Sequence, residues 1–182
     1  MDAFEQLVAA LLEREGFWVR SSVKVRLTTA EKARIGRATS PRWELDIVAY
    51  HAATNEIRIV ECKSFLFSRG VSLQAFDVER RFAGRFKLFN DRRLFGIVSR
   101  RLVRQLAVTG SCQPKPTVRL RLAAGRVVAS QREELQRLFQ KRGWLLLDRT
   151  WLLAGLIASA TGGYENNMAT VVAKLLDERN LE

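Results

Sequence analysis

The spacing of apolar and polar residues divides the first part of the chain into helices and strands. Residues 2–16 carry one apolar stripe at helical spacing and end in a glycine, which predicts a helix. Residues 17–27, 43–50 and 57–63 have the composition of strands, and the short segment between the last two predicts a hairpin. Residues 71–89 repeat apolar positions at spacings of three and four, which predicts a second helix.

Shorter elements follow from the same patterns. Residues 28–41 lack an apolar period and are predicted to form a loop, whereas the continuous apolar run at 94–98 predicts a short strand. Residues 118–122 alternate apolar side chains with arginines, as in an exposed strand with a basic face. Ser130 and Glu133 have the spacing of a capping box that opens the next helix.

The C-terminal segment adds one strand and two helices to this prediction. The strand is predicted at 144–147, and the helix after it begins at Asp148 or Thr150 and stops at Gly162. A last helix is predicted over residues 165–179. Helices interleaved with few, short strands predict an α/β layer architecture.

The composition is that of a folded protein in a reducing compartment. The 182 residues are 47% hydrophobic and 27% charged, an ordinary mixture for a globular chain. Two cysteines provide neither a disulfide framework nor a zinc site, so we expect reduced thiols and a cytoplasmic location. Asp148 and Arg149 interrupt the apolar segment 143–163, which is therefore predicted to be a buried strand and helix and no membrane span.

The charge balance points to a polyanionic partner. Lys and Arg number 31 against 19 Asp and Glu, which gives a formal net charge of +12. A basic excess of this size concentrates polyanions near the surface, and nucleic acid is the commonest of them. Charge alone leaves two alternatives, an acidic protein partner or a role in solubility.

Two carboxylates and a lysine carry the candidate chemistry. Side chains alternate along a strand, so Glu61 and Lys63 share a face, and the predicted hairpin brings Asp46 toward Glu61. Carboxylates held close together repel unless a cation lies between them, and Mg²⁺ or Mn²⁺ prefers such oxygen ligands. Lys63 would then orient or deprotonate the attacking water, or neutralise developing charge, in phosphodiester hydrolysis. The alternative is an ion pair at the end of a strand.

The two strands of this hairpin resemble the signature of the PD-(D/E)XK nuclease superfamily, which has the restriction-endonuclease-like fold. They read WELDIVA at 43–49 and IVECKS at 59–64. The opening helix and strand, with FEQLV at 4–8 and GFWV at 16–19, are similar to those of the Mrr-like and resolvase-like branches. This chain departs from the pattern in one respect, because no proline precedes Asp46.

The resemblance implies a fold and a domain organisation. We expect an α/β restriction-endonuclease-like core over residues 1–110, in which a central mixed β-sheet is flanked by helices. Its order of helix, three strands, helix and strand would use the predicted elements at 71–89 and 94–98. Residues 111–182 would form a mostly helical extension packed on the core, so that the whole chain is a single compact domain.

The resemblance also implies roles for individual residues. Asp46 and Glu61 would bind Mg²⁺, with Mn²⁺ as the alternative, and a glutamate of the first helix, here Glu5, would complete the metal site. Lys63 would complete the catalytic set, and DNA is expected over RNA as the substrate. An acid in the first turn of a helix is also favoured by the helix dipole alone, which leaves both readings of Glu5 open.

Basic residues outside this set are candidates for contacts with nucleic acid. Lys32, Arg34 and Arg37 belong to the predicted loop, and Arg81 and Arg85 belong to the predicted second helix. A solvated charged surface is the alternative for all five.

Aromatic and apolar residues suggest two further contacts. Trp18 and Trp43 lie beside basic residues, which fits either base stacking or the burial that is usual for tryptophan in strands. Apolar residues at 151–153, together with the last helix, suggest an interface for a homodimer.

The sequence therefore predicts a metal-dependent endonuclease acting on nucleic acid, with DNA as the expected substrate. One rival is a DNA-binding module of a defence, recombination or transposition complex that has no catalytic activity. A second rival is a basic adaptor that docks an acidic protein.

Overall fold

A five-stranded mixed sheet forms the centre of the fold. The computed structural model describes residues 2–36, 42–77, 83–163 and 165–177. The strands lie in the order β1-β2-β3-β4-β5, with antiparallel pairing between the first three and parallel pairing from β3 to β5. Their bounds are Trp18–Val25, Trp43–His51, Glu56–Lys63, Thr117–Ala124 and Leu145–Leu147.

Helices cover both faces of the sheet and make this an α/β fold, as predicted. The described residues contain seven α-helices, α1 to α7, with bounds Ala3–Arg14, Thr29–Arg34, Lys87–Asn90, Arg92–Val108, Arg132–Lys141, Arg149–Thr161 and Met168–Leu175. Helices α1 and α6 pack on one face against Ile47 and Val60. Helices α3, α4 and α5 pack on the other face, where Phe76, Phe89 and Phe139 form part of an aromatic cluster.

The predicted hairpin of β2 and β3 is confirmed. The strands pair in register from His51 and Glu56 at the turn to Ile47 and Val60 near the other end. Asn55 takes a positive φ of 48° in the turn, a conformation that asparagine tolerates better than most residues. Both faces of this hairpin are buried, which agrees with the apolar composition of the two strands.

The predicted helix over residues 71–89 is wrong as a single element. The described part of this segment contains 3₁₀ turns at Leu73–Phe76 and Ala83–Arg85 followed by the short α3. The Asn90 side chain donates hydrogen bonds to the carbonyl oxygens of Ala75 and Ala83, which ties the two turns together. The apolar period therefore reflects several short turns that pack on one core.

The predicted strand at 94–98 is also wrong, because these residues lie in α4. The Asp91 carboxylate caps this helix by accepting a hydrogen bond from the Leu94 amide. Leu94, Val98 and Leu102 recur every four residues on the buried side, and this period continues beyond the short apolar run.

The predicted loop at 28–41 contains the short helix α2. Thr28 and Glu31 form a capping box at its start. Arg101 of α4 binds the Glu31 carboxylate at 2.8 Å and lowers its pKa against the opposing effect of burial. A capping pair and a distant arginine thus order a segment that has no apolar period.

The predictions for the C-terminal half have mixed outcomes. Strand β4 was predicted as an exposed basic strand, and Arg119 is exposed, but the strand is buried from Leu120 to Ala124 and Arg121 is only 9% exposed. The predicted capping box is wrong, because α5 begins after Gln131 without a side-chain cap. Helix α6 begins with Asp148 as its cap, which is one of the two predicted starts. Strands β4 and β5 follow residue 110, so one sheet extends across the predicted boundary between core and extension.

No helix within the described ranges is long and apolar enough to cross a membrane.

Candidate active site

The hairpin strands separate at the residues that carry the acidic cluster. Regular pairing ends at Ile47 and Val60, immediately before Asp46 and Glu61. There the Asp46 Oδ2 atom accepts a hydrogen bond of 2.8 Å from the Cys62 backbone amide. The aspartate is therefore fixed directly beside the end of β3.

An irregularity in the pairing of β1 and β2 determines the position of Asp46. Leu45 and Ile47 would share a face in a regular strand, yet they pack into the two different cores. On the neighbouring strand, Ser22 takes a positive φ of 53° opposite Asp46, and the ladder skips this pair. The irregularity places the aspartate at the rim of the sheet.

The Lys63 ammonium group lies among three oxygen atoms. Its Nζ atom donates hydrogen bonds to Glu61 Oε1 at 2.6 Å and to the Cys62 carbonyl oxygen at 3.1 Å. The same nitrogen lies 3.9 Å from Asp46 Oδ2. The structure thus brings together the three residues that the sequence predicted to meet.

Burial and charge both act on this set. The side chains of Glu61 and Lys63 are only 20% and 21% exposed. Burial raises the pKa of Glu61, the charge of Lys63 opposes that shift, and the charge of Asp46 reinforces it. Burial alone would lower the pKa of Lys63, but the charge of Glu61 outweighs it, so this pKa is raised. The ion pairs of Lys63 with Glu61 and Asp46 hold the cluster together.

Glu5 has a capping role and also belongs to this electrostatic cluster. Its amide and carboxylate form a reciprocal capping box with Asp2 at the start of α1. Its pKa is raised by burial first and then by the negative charge of Asp46. Glu5 also raises the pKa of Glu61, so three acids act on one another here.

We expect that replacing Glu5 with glutamine stabilises the protein at pH 7. Glutamine keeps the capping geometry and removes the repulsion by Asp46. Because the pKa of Glu5 is raised in the folded state, the folded protein loses stability as the pH rises from the ordinary pKa of glutamate through the raised value. The gain, about 2 °C in the unfolding midpoint, should therefore disappear in acid, where the carboxyl group is protonated in both states.

Thermal melts of the two proteins between pH 3 and pH 8 measure this difference. An equal or lower midpoint for Glu5→Gln at pH 7 would mean that Glu5 serves only as a helix cap.

Gly125 keeps the end of β3 in place. Its amide donates a 3.1 Å hydrogen bond to the Lys63 carbonyl oxygen, and a Cβ atom here would lie 2.4 Å from the Ser64 carbonyl oxygen. We expect Gly125→Ala to cost about 1–3 kcal/mol of unfolding free energy, because the strand end must move. In the matched control, Gly84→Ala, the added Cβ meets nothing within 4 Å. Equal denaturant midpoints for the two variants would contradict this account.

Two of the basic candidates lie toward the end of the sheet that carries the acidic cluster. Helix α2, with Lys32 and Arg34, follows the end of β1, which is at the same end of the sheet as the start of β2 and the end of β3. Arg85 lines a cavity of about 570 Å³ that begins next to Phe65. Arg37 and Arg81 lie outside the described residues.

The structure adds residues that the sequence pattern did not single out. A second cavity of about 660 Å³ is lined by Phe4, Arg69, Gly125 and Arg126 among others. Phe67, in the same loop as Arg69, has a fully exposed side chain. Arg69 and Arg126 are candidate phosphate contacts, because the cavity that they line is also lined by Gly125, whose amide donates to the Lys63 carbonyl oxygen. The sequence marks this loop only by its position after the Glu-x-Lys motif.

Within the described ranges, no group of three or more His, Cys, Asp or Glu side chains is arranged as a ready metal site. The oxygen atoms of Asp46, Glu61 and Cys62 surround the Lys63 ammonium group in its place.

Comparisons with known proteins name no family for this chain. No family model matches it, and no curated protein matches it. A solved structure of a protein of unknown function, AF1548, aligns with a TM-score of 0.47 and 18% identity over 81% of this chain. An XisH family protein from Nostoc punctiforme aligns with a TM-score of 0.36 and 16% identity over 83% of this chain. The chain spans 57% of the length of AF1548 and 94% of the XisH family protein.

Proposed function

We propose that this protein is a metal-dependent nuclease that hydrolyses phosphodiester bonds, with DNA as its substrate. The observation that carries the proposal is one cation held by Asp46, Glu61 and the Cys62 carbonyl oxygen at a strand end. Acids held this close together repel one another, as the effect of Asp46 and Glu5 on the pKa of Glu61 shows, and a bound cation relieves that repulsion.

The donor set fits a hard divalent cation. Two carboxylates and a backbone carbonyl oxygen are the ligands that Mg²⁺ and Mn²⁺ prefer, and together they already surround the ammonium group of Lys63. Asp46, Glu61 and the Cys62 carbonyl would hold the metal, with Glu5 as a further carboxylate nearby. When bound, such an ion lowers the pKa of a water molecule and polarises the phosphate.

Lys63 provides a positive charge and hydrogen-bond donors, which the carboxylates lack. Its ammonium group is a hydrogen-bond donor next to the carboxylates. In that position it would orient the attacking water or neutralise the charge that develops on the phosphate oxygens. Arg69 and Arg126, which line the cavity next to Gly125, would hold the flanking phosphates.

The order of elements supports the restriction-endonuclease-like core as part of this proposal. Apart from the short helices α2 and α3 and the 3₁₀ turns, helix α1 is followed by β1, β2 and β3, then by α4 and β4. This is the sequence of helix, three strands, helix and strand that the resemblance implies, with α4 and β4 in the places first expected for residues 71–89 and 94–98.

The test is cleavage of a mixed panel of substrates by the purified protein. Supercoiled plasmid, linear duplex, branched DNA, single-stranded DNA and RNA are each incubated with Mg²⁺, with Mn²⁺ or with EDTA. We expect cutting of at least one DNA substrate with metal and no cutting in EDTA. DNA binding without cutting in either metal would favour the module that only binds, in which the Lys63 ion pairs have a structural role.

A homodimer stays part of the proposal. Leu153, Ile157 and Met168 on α6 and α7 are 45–74% exposed, although Trp151 donates a hydrogen bond to Glu15 within the chain. A monomeric mass in solution at micromolar concentration would remove the dimer.

A further inference from the structure

The outer edge of the sheet carries a groove that is separate from the acidic cluster. Among the described strands, β1 pairs on one side only, with β2. Between β1 and α4 lies a groove of about 680 Å³, which Trp18, Arg20, Lys24 and Tyr50 help to line. We propose that this groove binds a single strand of nucleic acid, with a base stacked on Trp18 and phosphates held by Arg20 and Lys24.

The exposure of Trp18 is the first observation that supports this inference. Its side chain is 71% exposed, so the alternative of a core tryptophan is excluded. It contacts Tyr50 edge to face, with ring centroids 6.4 Å apart. Tyr50 is itself fixed, because its hydroxyl group donates to Asn55 and accepts from the Gln113 amide. A supported and exposed aromatic ring is a suitable platform for an unpaired base.

The charge of the groove is the second observation. The described residues that line it include two cations, Arg20 and Lys24, and no carboxylate. Both cations are exposed on β1. Arg20 shares the face of Trp18, whereas Lys24, whose register partner is Glu44, lies after the irregularity at Ser22 on the opposite face, so the two flank the outer edge from both sides. From Trp18 to Lys24 the strand rises six residues, or about 20 Å, which is enough for a short run of nucleotides.

The same strand leads from the groove toward the acidic cluster. Strand β1 starts at the hairpin-turn end of β2, where Trp18 pairs with Tyr50, and ends where Val25 pairs with Trp43. Asp46 lies between these ends, opposite Ser22. A nucleic-acid strand lying along β1 would therefore pass one β-strand away from Asp46. The groove rests on the proposed function for its ligand class, nucleic acid, and does not depend on catalysis.

Addition of a protein strand to the same edge is less favoured by these contacts. Gln105 of α4 donates to the Lys24 carbonyl oxygen and accepts a hydrogen bond from the Arg26 amide. Part of the edge that a β-strand would use is thus already occupied.

Binding of fluorescein-labelled (dT)12 in EDTA, followed by anisotropy, tests the inference without hydrolysis. We expect Trp18→Ala to weaken binding at least about fivefold and Trp18→Phe to keep most of the affinity. We expect Lys24→Ala to reduce the slope of log K against log salt by about 0.7. Lys141→Ala is the matched control, since it removes the same charge from α5, which contacts the opposite edge strand.

A second readout does not depend on affinity. An oligonucleotide carrying 5-iododeoxyuridine is irradiated with the protein, and we expect the adduct on Trp18 by mass spectrometry. Unchanged binding by Trp18→Ala and Lys24→Ala, with folded circular dichroism spectra and adducts elsewhere, would overturn the inference. The inference would also be overturned if a strand-forming peptide protected the backbone amides of β1 from hydrogen exchange and (dT)12 did not.

The two proposals fail separately. Trp18-dependent binding with no cleavage in any metal would refute the nuclease and leave the groove intact. Metal-dependent cleavage, together with wild-type affinity for (dT)12 in Trp18→Ala and Lys24→Ala, would refute the binding groove and leave the nuclease proposal intact.

Discussion

Replacing Lys63 with methionine is expected to lower the rate of DNA cleavage by about 10²–10³-fold. Methionine keeps much of the apolar stem and removes the ammonium group that lies 2.6 Å from Glu61 Oε1. With a metal bound, the carboxylates stay neutralised, so the loss falls on the reaction and the fold is kept. Single-turnover rates at saturating Mg²⁺ measure the effect.

Lys141→Met is the control for this variant, because it makes the same chemical change on the exposed surface of α5. Its rate should equal that of the wild-type protein. A Lys63→Met protein that cuts at the wild-type rate would show that the lysine only balances charge.

Replacing Asp46 with asparagine should abolish tight binding of Mn²⁺. The asparagine oxygen can still accept the hydrogen bond from the Cys62 amide, so the change removes charge and leaves the strand end intact. Loss of one anionic ligand should weaken metal binding roughly a hundredfold or more, since even outer contacts of a metal site contribute 10–100-fold. Isothermal titration calorimetry with Mn²⁺ measures this.

Glu44→Gln offers a matched control two residues away on the same strand. Glu44 is exposed, and its register partner on β1 is Lys24. Its metal affinity should stay at the wild-type value. If Asp46→Asn bound Mn²⁺ as tightly as Glu44→Gln, Asp46 would not be a ligand.

The acidic cluster could be predicted because it depends on local geometry. Alternation along β3 places Glu61 and Lys63 on one face, and the hairpin fixes Asp46 beside them. The role of the Cys62 backbone was not predictable in this way. Its amide and carbonyl groups contact Asp46 and Lys63 only because pairing stops and β2 twists at this point.

The connections around the cluster were predicted less well, because apolar period alone does not distinguish their structures. Residues 94–98 are as apolar as a buried strand, and the deciding signals were the Asp91 cap and the longer four-residue period of α4. The turns before α4 depend on the side chain of Asn90, which donates hydrogen bonds to the carbonyl oxygens of Ala75 and Ala83. No pattern in the sequence marks these contacts.

The basic surfaces depend on tertiary structure in the same way. Exposed and buried arginines look alike in the sequence, yet Arg121 is enclosed and Arg20 lies in the open groove. Trp18 is exposed because β1 is at the edge of the described sheet, which only the strand order reveals.

The most direct test of the central claim is plasmid cleavage by wild-type and Asp46→Asn proteins, purified side by side and assayed with Mg²⁺ and with EDTA. Our account predicts that the wild-type protein cuts only with Mg²⁺ and that the variant does not cut. Equal cutting by both proteins, or no cutting of any nucleic acid by the wild-type protein in either metal, would contradict it.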